Sequence, residues 1–304
     1  MIKTQFTLLA FLLITCSIWS QNRYKDTIFS SIQKRTFNYA DTLLLDFYDS
    51  KSDIKKMRPL VILVHGGGFV AGQRNGGDEK GLSTILAKRG YAVASINYRL
   101  TLKGKSFGCD CQTDIKMNTY VQAVEDVIKS IYYLTTYDTT FKVDPNKIIL
   151  IGSSAGAETI LNTIIMKNNY LFQHIKYPNT KVIGAVSFAG ATINSDYLTQ
   201  ENLVPMLFFH GQLDNKIPFG IASHHYCPSN SNGYLILDGP KKITNRIKEL
   251  DGSYIVNIDP DGGHEWASLG YKFTDKIIDF LYLNVLNKEP IQDTQVVNYP
   301  FLKL

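Results

Sequence analysis

Gly152-Ser153-Ser154-Ala155-Gly156 sets a serine among small residues, directly after the apolar run 147–151 and directly before a helical pattern. A nucleophile on such a strand-to-helix turn stands exposed above a sheet, and only small neighbours let the backbone turn so tightly. A serine hydroxyl needs a base to take its proton. His264, in Asp261-Gly262-Gly263-His264-Glu265, follows the last apolar strand-like run, and its glycines give the loop freedom to bring the imidazole to Ser154. The imidazole in turn needs a carboxylate to fix its tautomer. Asp214, in His210-Gly211-Gln212-Leu213-Asp214, also follows a strand-like run. Asp259 and Asp261 lie nearer in sequence, but a carboxylate on the histidine's own loop is badly placed to face the ring from behind. The chain order Ser154, Asp214, His264 matches one known arrangement of these three roles.

The attacked carbonyl needs donors for its developing charge. His65-Gly66-Gly67-Gly68-Phe69 follows the apolar run 60–64, and consecutive glycines let backbone N–H groups approach an oxygen closely. A phosphate cradle also uses such glycines, but no Gly-Lys-Ser or Gly-Lys-Thr follows. Among the remaining histidines, His65 and His210 abut strand ends and are expected to shape those loops. His174 lies in a linker region, and His224 and His225 in an irregular stretch.

The segments that must position these residues alternate in type. Strands are expected at 42–48, 60–64, 91–96, 147–151, 182–188, 206–209 and 254–258. Asp144-Pro145-Asn146 is expected to form a turn before the fourth of these. Between them, Leu82, Ile85 and Leu86 share helical spacing, as do Val121, Val124, Ile128 and Ile131. A helix follows Ser154 over 155–166, and Ile277, Ile278, Leu281 and Val285 mark a closing helix with Thr274 as its cap. Strands separated by helices imply a mostly parallel sheet covered on both faces. Ligands bind beyond the carboxyl ends of such strands, where the chemical residues fall. Two irregular stretches, 101–118 and 224–239, should overhang that edge, and 288–304 reads as a surface tail.

The 304 residues carry a formal charge of +5, and 44% are hydrophobic. That is enough apolar content for a full core, and residues 21–304 read as one catalytic domain. The basic residues are dispersed. Lys55-Lys56-Met57-Arg58 and Lys241-Lys242 read as solvated loop faces, so a nucleic-acid partner is not expected. Residues 1–20 read as a signal peptide, with Lys3 before the short apolar run 6–14, and Gln21 is the expected mature N-terminus. A competing reading takes Leu13-Ile14-Thr15-Cys16 as a lipoprotein box with lipid on Cys16. No other segment has the apolar length to insert stably in a membrane. The protein is thus expected outside the cytoplasm, secreted or periplasmic. There, cysteines tend to oxidise. A Cys109–Cys111 bridge would close a very tight ring, so one of the two is expected to pair with Cys227. A metal site from Cys109, Cys111, Cys227, His224 and His225 is the rival use of these groups.

These motifs resemble the esterase branch of the α/β-hydrolases, including hormone-sensitive-lipase-like esterases and bacterial feruloyl or acetyl-xylan esterases. The oxyanion motif (65–69), the nucleophile elbow (152–156), the acid segment from His210 through Asp214 to Pro218, Gly263-His264 and Asn97-Tyr98-Arg99-Leu100 carry the resemblance, which covers about 42–286. It implies the α/β-hydrolase fold and catalysis by Ser154, Asp214 and His264. It also implies oxyanion donors at the N–H groups of Gly67, Gly68 and Ala155, and no cofactor or metal. Ser153 stands where that branch often has an acid, and Ala157 where it often has glycine. Little chain precedes the first strand, leaving little or no room for a cap. An open site favours short acyl esters or carbohydrate-linked esters over long-chain lipids. An amide substrate, as in prolyl-peptidase-like relatives, and a non-catalytic binding protein are the alternatives on this fold.

Overall fold

A computed structural model describes residues 22–298. The signal-peptide and Cys16 readings and the mature N-terminus lie outside the described residues. The strands are β1 Gln33–Ala40, β2 Leu43–Asp49, β3 Arg58–Val64, β4 Ala92–Ile96, β5 Val143–Ser153, β6 Val182–Phe188, β7 Met206–Gly211, β8 Ile221–Ser223, β9 Ile236–Asp238, β10 Tyr254–Asp259 and β11 Gln292–Val296. The helices are α1 Gly77–Ala87, α2 Thr113–Thr136, α3 Asp138–Phe141, α4 Ala155–Ile165, α5 Pro240–Glu249, α6 Trp266–Leu269 and α7 Thr274–Asp279. The last runs on as a wider helical turn over Phe280–Leu286.

Nine strands form one sheet in the order β1-β2-β4-β3-β5-β6-β7-β10-β11. The β1–β2 and β2–β4 pairs are antiparallel and the others parallel. All seven residues of β3 are buried, because alternate side chains leave a strand on opposite faces and both faces here are covered. Leu60, Ile62 and Val64 join the core under α2, α4 and α5, with Tyr120, Ile160 and Ile243. Val61 and Leu63 join the core under α1, α6 and α7, with Leu86, Trp266 and Ile277. This is the mostly parallel sheet, covered on both faces, that the alternation predicts, as the α/β-hydrolase resemblance also implies.

The departures have physical reasons. The outermost strands β1 (QKRTFNYA) and β11 (QDTQV) alternate between half-buried and exposed residues and lack an apolar run. Polar side chains of this kind protect sheet edges, and they disguised 292–296 as tail. Asp144-Pro145-Asn146 is not a separate turn. It forms an irregularity inside β5, where the register with β3 jumps from Arg58↔Val143 to Leu60↔Ile148. Thr274 is the first residue of α7 rather than its cap. The stretch 224–239 contains β9, which pairs antiparallel with β8, and α2 begins inside the presumed loop 101–118.

Neither basic cluster is a loop face throughout. Lys241 and Lys242 lie in the first turn of α5. Arg58 is 1% exposed. Its guanidinium donates to Phe141 O at 2.7 Å, to Asp49 at 3.3 Å and to Asp53 at 3.4 Å. It ties β3 to the segment before β5 and to the β2–β3 connection. Asp49 also pairs with Arg35 at 3.2 Å and Asp53 with Arg23, so neither carboxylate is left alone without Arg58, and what is lost is a set of charge-assisted hydrogen bonds. Arg58→Ala should therefore lower stability by about 1.5–3 kcal/mol, read as a fall in the urea midpoint; a shift of a few tenths would show the cluster to be dispensable.

Candidate active site

The serine turn is built on close backbone approach. Ser154 has φ 49° and ψ −123°, a region a side-chain-bearing residue occupies at a cost of about 1–3 kcal/mol. A Cβ at position 152 would lie 2.4 Å from Gly156 O, and one at 156 would lie 2.1 Å from Val64 O. Glycine at both places lets α4 start directly beneath the end of β3. Ser154 N donates to Phe188 O at 2.8 Å. Ser153, where the related branch often has an acid, donates from Oγ to Ala267 O at 2.7 Å. That bond anchors the turn to α6, just beyond His264.

The three residues singled out for chemistry meet here. Ser154 Oγ lies 2.9 Å from His264 Nε2, and His264 Nδ1 lies 2.8 Å from Asp214 Oδ2. A carboxylate at Nδ1 fixes the proton on that nitrogen and leaves Nε2 free to accept from the serine. Asp214 Oδ1 accepts from the N–H groups of Lys216 at 2.8 Å and Ile217 at 3.0 Å. Burial by itself pushes the Asp214 carboxyl up. The His264 hydrogen bond, the neighbouring imidazoles and the Ile217 N–H outweigh it and hold it below the usual carboxylate range. Asp259 is engaged elsewhere, accepting from Trp266 Nε1 at 2.9 Å.

Gly66, Gly67, Gly68, Ser154 and His264 line one cleft of about 680 Å³. Gly67 (φ 115°) and Gly68 (φ 60°) have left-handed backbones, and a Cβ at 67 would lie 2.2 Å from Ala71 O. His65 shapes this loop as expected: its Nδ1 lies 2.7 Å from Gly66 O, and Tyr98 stacks on its ring at 4.5 Å. Tyr98 OH donates to His65 O at 3.0 Å, and Arg99 is bound to Asp126, Glu125 and Gln122 of α2. Asn97-Tyr98-Arg99 thus braces the glycine loop. His210 packs behind the acid, with Nε2 3.0 Å from Ile217 O.

Two irregular stretches do overhang the edge, tied by a Cys109–Cys227 disulfide with Cα atoms 5.2 Å apart. This is the pairing expected of one of the two, and Cys111 stays free and buried. Two of the five groups of the rival metal site are therefore not available as thiolates.

Sequence reasoning missed the buried polar group beside Ser154. Glu158, one helical turn on, is 1% exposed, and it accepts from Tyr120 OH at 2.7 Å. His224 Nε2 lies 3.6 Å from the same carboxyl, and Lys116 Nζ lies 3.4 Å from His224 Nδ1. Glu158 N donates to Ser154 O at 2.9 Å, closing the first turn of α4 onto the serine, and this four-residue spacing was the available signal. Burial, offset in part by Tyr120 and Lys116, pushes the Glu158 carboxyl up to about 8. The folded state then holds a proton that the unfolded state has lost, so stability falls as pH rises between the two pKa values. Relative to Glu158→Gln, the wild type should lose up to about 1.4 kcal/mol per pH unit from about pH 5 to about pH 8. Urea unfolding of both proteins across that range checks this, and parallel curves would contradict it.

A family model described as BD-FAE matches residues 45–192. That stretch holds the glycine loop and Ser154 but neither Asp214 nor His264. The neuroligin-like protein glit-1 of Caenorhabditis elegans is 29% identical over 122 residues, 40% of this chain and 15% of that protein. The isoprenylcysteine alpha-carbonyl methylesterase of Arabidopsis thaliana is 30% identical over 131 residues, 42% of this chain and 27% of that protein. The chain therefore matches less than a third of either relative's length. The apo form of Thermogutta terrifontis esterase 2 superposes with a TM-score of 0.58 at 18% identity, over 86% of this chain and 97% of that one. At that identity the likeness is one of fold.

Proposed function

We propose that this chain, an α/β-hydrolase by fold, is a serine esterase that cleaves carboxylic esters through an acyl-enzyme on Ser154. The hydrogen-bonded line Ser154 Oγ, His264, Asp214 beside the glycine loop carries this reading. His264 Nε2 takes the hydroxyl proton as Oγ attacks the carbonyl carbon. The oxyanion is received by the N–H groups of Gly67, Gly68 and Ala155. As the intermediate collapses, His264 returns the proton to the departing alcohol. Water then gives a proton to His264, attacks the acyl carbon and releases the acid, restoring Ser154.

The cleft walls bear on the substrate. Val70, Phe107, Ile217 and Ala267 are its main apolar lining, while glycines, histidines and charged side chains make up most of the rest. That mixed lining, with short apolar patches beside polar groups, is in keeping with short acyl groups and polar, carbohydrate-linked alcohols. The disulfide is in keeping with export to an oxidising compartment.

Ser154→Ala should lower kcat for a short-chain 4-nitrophenyl ester by about 10³-fold or more, with cooperative unfolding retained. A fluorophosphonate should label the wild type at Ser154 and leave the variant unlabelled. A variant that keeps most of its turnover would refute the assignment.

A further inference from the structure

The cleft is electrically lopsided. Asp78, Glu79 and Tyr271 bound one side. There Tyr271 OH donates to Glu79 at 3.1 Å, and Asp78 pairs with Lys272 at 3.3 Å. Lys105 and Lys216 stand with His224 and His225 in the same lining. Both lysines are exposed, and neither forms an ion pair among the described residues.

These lysines flank one unusual turn. His225 N donates to Lys216 O at 2.7 Å, and Phe107, two residues past Lys105, meets the His224 ring at 4.9 Å. His225 and Tyr226 have φ of 57° and 51°, a conformation disfavoured for residues with a Cβ. The turn is held by the Cys109–Cys227 disulfide and by Ser223 Oγ, which donates to Cys227 O at 2.7 Å. Strained backbone that its surroundings over-determine is a mark of ligand-handling sites. Beneath it lies the fully buried Lys116, whose Nζ donates to Gly233 O at 2.8 Å and meets no carboxylate within ion-pair distance among the described residues. The charges of Lys116 and Lys216 add to burial in holding the His225 imidazole down at about 4. This side therefore offers positive charge and imidazole, and the exposed carboxylate near it, Asp110, accepts from Ser106 Oγ at 2.6 Å and pairs with neither lysine among the described residues.

We propose that Lys105, Lys216 and the His224–His225 turn form an anion subsite, so that the preferred ester carries a free carboxylate in its acyl or its alcohol half. This rests on the ester-hydrolase reading and specifies its substrate class. Lysine ammoniums are point charges on flexible stems, able to pair with a carboxylate carried on either half of the ester.

Two matched pairs of esters test it, each corrected for uncatalysed hydrolysis. The acyl arm sets 4-nitrophenyl hemiglutarate against 4-nitrophenyl valerate, and the alcohol arm sets 4-acetoxybenzoate against 4-acetoxybenzamide. In one arm the anionic member should have the higher kcat/KM by about tenfold, chiefly through KM, the scale of two exposed charge pairs. That ratio should fall to about one in the double variant Lys105→Gln, Lys216→Gln, and shrink in about 0.5 M salt. Equal or better use of the neutral member in both arms would overturn the subsite, as would a ratio that survives the double variant. If the wild type cleaves none of the four esters, the ester-hydrolase reading itself fails.

Discussion

The site depends on one clearance: the approach of Gly156 to the carbonyl end of β3, where a Cβ would stand 2.1 Å from Val64 O. That approach lets α4 begin immediately after Ser154 and holds the serine at φ 49°. It also brings the glycine loop that follows β3 alongside the nucleophile, where a Cβ on Gly66 would lie 3.2 Å from Ser154 Cβ. Nucleophile and proposed oxyanion donors are therefore placed by the same contact between two backbones. Parallel strands supply the remaining groups, because every crossover returns the chain to the same edge. Asp214 and His264 leave the ends of β7 and β10, which are neighbours in the sheet.

Around this frame the side chains form two kinds of support. Behind the serine, Asp214 is satisfied by two backbone N–H groups and the imidazole, which hold its carboxyl below the usual range beside His264. In front of it, the overhanging segments are fastened by the disulfide and by the chain Lys116, His224, Glu158, Tyr120. That chain roots the overhang in α2 and α4, the second of which carries the nucleophile turn at its start. A buried network of this kind is costly to leave half-satisfied, and it couples the shape of the cleft to the position of the serine helix.

Much of this was legible in the sequence. Continuous apolar runs such as LVILV and KIILI marked the central strands, and the glycine spacings at 152–156 and 65–68 marked the turns that chemistry needs. That Asp214 and His264 come together with Ser154 was foreseeable, because a parallel sheet puts strand ends on one edge. What was hidden follows a common physical pattern. The edge strands β1 and β11 carry polar side chains that do not read as strand. Arg58 and Lys116 are charged residues whose burial depends on partners that only the fold assembles: Asp49 and Asp53 across the β2–β3 connection and Phe141 far along the chain for one, His224 and Gly233 for the other. Glu158 carried a local clue in its spacing from Ser154, but its proton is held by burial that only the packed α2 and α4 produce. The strained His225–Tyr226 turn has no glycine to announce it, and tertiary anchors hold it.

The central claim is that Ser154 is acylated while His264 relays its proton. The most direct measurement is rapid quenching of the enzyme with 4-nitrophenyl acetate, followed by peptide mass spectrometry. The account predicts a burst of nitrophenol and one acetyl group on the peptide containing Ser154, with both lost in Ser154→Ala. Turnover with acetyl on another residue, or undiminished turnover by the alanine variant, would contradict it.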